Sequence, residues 1–196
     1  MTKTEYIFKT ILSSIFIFTT LLIISCTGDP EVKPDSLSVD DSNENTLPAY
    51  LSGVFVINEG NFGSDDGSIS FIYPNGIVRN NIFSENNALR RLGDVVQSMY
   101  ANGTSAFIVV NNSNKIEVVD IDQMTLLHTI SEVSLPRYMI SDGKYGYISE
   151  WVSFSDPGRI SILNLDTYEI IDTINVGFGA EALTIRDSKL LSLIHI

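Results

Sequence analysis

The sequence is poor in the residues that build covalent or metal-held frameworks. It has one cysteine, so no disulfide can form within the chain. It has two histidines, His128 and His195, with no Cys/His cluster and no His-Glu-x-x-His pattern, so zinc chemistry has no ligand set to start from. Basic residues are scarce: 12 Lys and Arg stand against 24 Asp and Glu, a formal net charge of −12. That balance excludes nucleic acid, whose phosphates call for a basic surface. Helical patterning is nearly absent beyond the amino-terminal region, with only a faint trace over 87–99. Gly-x-Ser-x-Gly is missing, and nothing positions a Ser-His-Asp triad. Gly177, Gly179 and Ala182 match a dinucleotide fingerprint, but a strand-like run and a turn follow them. A helix whose N-terminal N–H groups could face a pyrophosphate is required there. The reading is therefore of a chain with no catalytic residue, no metal site and no cofactor.

What is present begins with a leader. Lys3 and Lys9 precede an uncharged apolar run over 11–24, which ends at Ser25-Cys26. A basic start, a short apolar stretch and a small residue before the cut make residues 1–25 a signal peptide, too short and wrongly flanked for a membrane span. Residues 22–26 resemble the bacterial lipobox, which implies that Cys26 is diacylglycerylated and anchors the mature chain to a membrane by its lipid. The leader carries two lysines and one glutamate, so the remainder is more acidic still, at −13. Residues 26–50 are rich in Asp, Glu, Pro and Ser and low in hydrophobicity, which predicts a disordered acidic linker. Asp29 and Glu31, close behind Cys26, resemble the surface-export signal of Bacteroidota lipoproteins. The implied location is the outer membrane, facing outward, with the periplasmic face as the alternative.

From residue 51 the pattern changes to short β-branched and aromatic runs bounded by Gly, Asn, Asp and Pro. The segment 116–130 aligns without a gap to 160–174, an offset of 44 residues. Both copies read strand, turn, strand, with Asp122 and Asp166 expected to hold the turns by bonding backbone N–H groups. A shorter copy at 69–77 turns on Pro74-Asn75-Gly76. Around Asp66-Gly67 the sequence suggests a hairpin turn. Runs at 54–57, 106–110 and 145–148 precede the three copies, and further apolar stretches precede the last two of these. About four strands per repeat of about 40–45 residues is the size of a propeller blade. The predicted fold is all-β: three to four β-propeller blades over 51–190.

The repeat, with its Asp-centred turn, resembles the YncE-like seven-bladed propellers. The opening Asn58-Glu59-Gly60-Asn61-Phe62-Gly63 resembles the first blade of Bacteroidota surface lipoproteins of the DUF5074 group. On that resemblance a ring of seven blades is implied, and this sequence would hold only part of it. The last six residues, 191–196, are what CTG TCT CTT ATA CAC ATC encodes, the reverse complement of a transposase adapter used for sequencing libraries. They are therefore expected to be adapter rather than protein, which removes His195 from any site.

Propellers bind where loops of several blades converge. The candidate binding residues are Asn58, Glu59, Asn61 and Phe62 after the first strand, Arg137 after Pro136, and Glu150 and Trp151 at the start of a long loop. Trp and Arg supply contact area and directed donors. The resemblance implies a surface protein that captures a small-molecule or glycan ligand, with corrinoid-type nutrient capture for a TonB-dependent transporter as one form. Two other readings stay open: a propeller enzyme, lyase or quinoprotein-like, whose site lies in further blades, and an adhesive or structural surface protein.

Overall fold

Alternation of β-branched residues with polar ones, repeated between tight turns, folds here into a chain of antiparallel meanders. The computed structural model describes residue 50 and residues 52–194, all within one compact unit spanning Thr46–Ile196. The signal peptide, Cys26, the linker up to residue 49, His195 and Ile196 lie outside the described residues.

The first sheet has three strands, β1 (Val54–Asn58), β2 (Ser68–Ile72) and β3 (Val78–Arg79), followed by one short helix, α1 (Ile82–Asn86). Two four-stranded sheets follow. One holds β4 (Val96–Asn102), β5 (Ser105–Val110), β6 (Lys115–Asp120) and β7 (Leu126–Ile130). The next holds β8 (Pro136–Ser141), β9 (Tyr145–Glu150), β10 (Arg159–Asn164) and β11 (Ile170–Asn175). The last sheet has two strands, β12 (Ala180–Arg186) and β13 (Lys189–Ile194). Each strand pairs antiparallel with its sequence neighbour in the sheet. The sheets stand side by side, with β4, β8 and β12 packed in a row as their innermost strands. This is the propeller arrangement predicted from the 44-residue period. β1 packs on β4 as β5 packs on β8 and β9 on β12, so β1 holds a second-strand position. Among the described residues the first blade has no innermost strand.

Among the described residues two cores lie between the blades. Tyr50, at the end of the stretch read as linker, is buried against Phe71 and Tyr73, and it joins Ile69, Phe83, Ile108 and Val119 between the first and second blades. Phe107, Ile116, Ile130, Met139, Ile148 and Leu163 fill the space between the second and third. Successive residues of β5 serve opposite cores, Ile108 one and Phe107 the other, as the two-residue period of a strand requires.

Three local expectations are corrected. The residues that hold the blade turns are Asp120 and Asn164, not Asp122 and Asp166. The Asp120 carboxylate accepts from the N–H of Asp122 and Gln123 at 3.0 and 2.9 Å, and the Asn164 side chain accepts from Asp166 at 2.8 Å. In such a turn the accepting oxygen sits two or three residues before the N–H it captures. The helix lies at Ile82–Asn86 rather than within 87–99. Asn87 ends it by reaching back to the Phe83 carbonyl at 2.6 Å, and Ala88, Leu89 and Val95 take left-handed backbone conformations. Asp66-Gly67 is no two-residue hairpin. It closes the longer loop between β1 and β2, and Gly67 donates its N–H to the Gly93 carbonyl at 3.0 Å.

Candidate functional site

In a meander, connections alternate between the two ends of the sheet. The loops β1–β2, β5–β6 and β9–β10 therefore share one end with the links from each blade to the next. All seven sequence candidates lie at or beside that end.

The structure brings two of them together. Arg137, second residue of β8, places its guanidinium 4.4 Å from the centre of the Trp151 ring. It donates from Nε to Glu181 at 3.2 Å, with Nη2 at 3.1 Å from the other carboxylate oxygen, and from Nη1 to the Gln97 side-chain oxygen. Gln97, Arg137 and Glu181 are each the second residue of an innermost strand, so the blade period lines them up across three neighbouring blades. The planar fork of arginine suits this carboxylate geometry. The same junction is held by the Ser98 hydroxyl donating to the Arg137 carbonyl at 2.7 Å and by Asn111 donating to the Pro136 carbonyl at 2.9 Å. The indole N–H of Trp151 is buried and has no hydrogen-bond partner.

Beside Trp151 lies a cleft of about 200 Å³, lined by Trp151, Ser153, Phe154, Asp156, Phe178 and Gly179. Trp151 and Phe154 meet with ring centres 6.0 Å apart and planes at 75°. Phe154 is 77% exposed and Phe178 55%, although both are large apolar side chains. Single exposed aromatics are ordinary, but a group of them around a concavity marks a binding surface.

The other candidates are held differently. Glu150 is fully buried: it accepts from Ser134 N–H at 2.6 Å, from Arg159 at 2.8 Å and from the Ser161 hydroxyl. It organises its blade and offers no oxygen to a ligand. Asn58 turns into its own sheet, donating to Ser68 and Ser70 at 3.2 and 3.0 Å. Asn61 closes its loop on Asp66, by its N–H at 2.7 Å and its amide at 2.9 Å. Those two bonds, the side-chain one foremost, hold the Asp66 carboxyl below its ordinary pKa. Glu59 and Phe62 remain exposed at the first blade. Sequence reasoning missed Gln97, Glu181, Phe154, Asp156 and Phe178. For Glu181 a signal existed, because it stands 44 residues after Arg137, the period of the repeat.

Two further concavities lie elsewhere. One of about 170 Å³ at the first blade includes Asp65, Asp66 and Arg91. One of about 320 Å³ on the outer rim includes His128, whose ring stacks on Tyr168 at 5.2 Å. The rim groove is larger, but it draws on a strand edge and a turn. The aromatic cleft adjoins the junction of innermost strands, where propeller loops converge. Among the described residues no three His, Cys, Asp or Glu side chains are grouped to hold a metal ion, and no helix is long and apolar enough to cross a membrane.

The meander sheets, their shared inner row and the loops gathered at one end define a β-propeller protein. The chain belongs to the DUF5074 family, whose model, described as a domain of unknown function, matches residues 52–192. No curated protein matches the sequence. Among solved structures, the Kuenenia stuttgartiensis hydrazine synthase resembles it with a TM-score of 0.52 at 18% identity, over 80% of this chain and 45% of that one. The dihydro-heme d1 dehydrogenase NirN, solved in complex with DHE, gives 0.45 at 16% identity, over 65% and 30%. Apo AztD from Citrobacter koseri gives 0.40 at 14% identity, over 65% and 34%. At such identities the likeness is one of fold. The chain spans less than half the length of each of these structures.

Proposed function

We propose that this chain is a lipid-anchored surface protein of a Bacteroidota outer membrane, and that its propeller captures a ligand without transforming it. The observation that carries the reading is the convergence, at one end of the blades, of the Arg137–Trp151 pair and a cleft walled by exposed aromatic rings. Arg137 stands on the inner strand β8, while Trp151 and Phe154 come from the β9–β10 connection and Phe178 from the β11–β12 connection, so three neighbouring elements meet at the cleft. The acidic character of the chain favours solubility outside the cell. Anchoring rests on Cys26, and delivery to a TonB-dependent transporter is the role that the family resemblance suggests.

The test is calorimetry of the full chain in detergent against cyanocobalamin and a panel of neutral glycans. Saturable binding that Trp151→Ala weakens by tenfold or more supports capture at this end. Full binding by that variant would move the site elsewhere. Conversion of a bound compound would replace capture with catalysis. Anchoring is checked by intact mass: Cys26→Ser removes the acyl mass increment.

A further inference from the structure

We propose that the cleft of Trp151, Phe154, Phe178 and Asp156 receives a quaternary or methylated ammonium group. The inference rests on the reading that this end captures a ligand, and it names the ligand's chemistry.

The walls fit that group. Aromatic faces carry partial negative charge and attract a cation within about 6 Å of the ring centre. Trp151 and Phe154, nearly perpendicular, form a corner, and Phe178 adds a third ring from the β11–β12 connection. Trp151 already holds one organic cation, the guanidinium of Arg137 at 4.4 Å. Arg137 is not part of the cleft wall, and its charge is matched by Glu181.

Asp156 supplies the countercharge. Its Oδ2 accepts from the Ser153 hydroxyl at 2.7 Å, while Ser153 Oγ accepts the N–H groups of Ser155 and Asp156 at 3.1 and 3.0 Å. The loop thus fixes the carboxylate beside the rings. Among the described residues Asp156 has no ion-pair partner. A chain of net charge −12 attracts cations and repels anions over the whole approach.

Size and polarity narrow the class. At about 200 Å³ the cleft falls below the range of roughly 300–1,000 Å³ usual for drug-sized ligands, so it encloses a compact head group rather than the whole of a larger molecule. A methylated ammonium donates few or no hydrogen bonds and is content with ring faces and one carboxylate. A primary ammonium carries three donors and a tightly held water shell, and would be left short of acceptors.

Trp151 is the only tryptophan, so its fluorescence reports the cleft directly. The full chain is titrated with choline and with 3,3-dimethyl-1-butanol, which has the same shape without the charge. Choline is expected to change the emission saturably, and the neutral analogue to bind about tenfold more weakly. Phe178→Ala and Phe154→Ala should each weaken choline about two- to fivefold, as expected for loss of one exposed ring. Asp156→Asn should weaken choline and leave the neutral analogue unchanged. Phe154 and Phe178 are exposed, so the thermal midpoints of these variants should stay at the parent value. Titration with glycerophosphocholine separates the sources. Tighter binding than choline assigns a lipid head group, and weaker binding assigns a free ammonium compound. Equal binding of choline and its neutral analogue overturns the ammonium assignment and leaves ligand capture standing. So does silence towards choline in a protein that binds cyanocobalamin or a glycan. Silence towards every probe overturns both.

Discussion

The second and third blades are built to the same register and differ in what surrounds them. Ile130 in β7 and Ile174 in β11 are equivalent by the 44-residue offset, yet Ile130 is 3% exposed and Ile174 46%. The second blade has sheets on both faces. Among the described residues the third is faced on its far side by β12 and β13 alone, which cover its inner strands and leave β11 open. The same residue in the same backbone position is core in one blade and surface in the other. Burial in a propeller is therefore a property of the neighbour.

The two blades also reach one polar solution by different routes. In the second, Glu117 of β6 is fully buried and holds Lys115 at 2.7 Å, Arg90 at 3.0 Å and the Thr129 hydroxyl. In the third the carboxylate comes from β9, as Glu150, and holds Arg159, the equivalent of Lys115. Ser161 stands where the second blade has Glu117, and Val110 where the third has Glu150. The cluster persists while its carboxylate moves one strand over.

The largest expected effect breaks that cluster. Glu150→Ala removes a fully buried carboxylate and leaves the Ser134 N–H, the Ser161 hydroxyl and the partly exposed Arg159 guanidinium without their acceptor, which should cost about 3–5 kcal/mol. Urea denaturation of the full chain measures it. The double variant Glu150→Val with Ser161→Glu rebuilds the arrangement of the second blade, and should recover a large part of the loss. If the transplant recovers nothing, the two clusters are not equivalent and the comparison fails.

The next effect sharpens the difference in cover. Ile130→Ala should destabilise by about 2–5 kcal/mol, as for other buried aliphatic truncations. Ile174→Ala should stay within about 0.5–1 kcal/mol. Equal losses in the same denaturation experiment would mean that β11 is covered in solution. Gly158→Ala comes third. A Cβ there would lie 2.6 Å from the Glu150 carbonyl oxygen and 3.2 Å from Ala180, and Gly158 itself bonds both ways with the 176–177 backbone. Because a backbone atom must move, about 1–3 kcal/mol is expected. Trp151 emission should shift too, since the loop end that carries the cleft is displaced.

How much of this was legible beforehand follows from what repeats. Strands and blades were readable because β-branched runs recur at a fixed offset, and the backbone obeys that offset. Arg137 and Trp151 were readable as residues just inside or just beyond a strand end. Glu150 looked the same from the sequence, because alternation along β9 does not say which end residue turns inward to meet Arg159. Phe154 and Phe178 lie in loops with no period to mark them, and only the fold brings them to one cleft. The stretch 87–99 is an irregular link and a strand entry instead of a helix: Leu92 and Val96 are buried in it, while Leu89 is exposed.

The smallest effect lies at the opposite end of the blades, where the β4–β5 turn carries Asn102-Gly103 and the β8–β9 turn carries Asp142-Gly143. Asp142 accepts the N–H groups of Tyr145 at 2.8 Å and Lys144 at 2.9 Å, and the Tyr147 hydroxyl at 2.9 Å. Those donors, Tyr145 first, hold its carboxyl below the ordinary value of 3.8. Burial, and then the same hydroxyl bond, pushes Tyr147 above 10.0. A depressed carboxyl stabilises the fold above its unfolded pKa, and the contribution is lost as pH falls through the lower folded value. A raised phenol stabilises below about pH 10 and the contribution is lost above it. Asp142→Asn gives the third blade the turn residue of the second. It should slightly destabilise at pH 7, with the difference closing below about pH 4 as the parent carboxyl takes up its proton. Asp142 is exposed, so solvent screening keeps the change small. A gap between parent and variant that stays constant from pH 7 to pH 2 would assign the loss to turn geometry rather than charge, and the two turns would then differ in shape and not in titration.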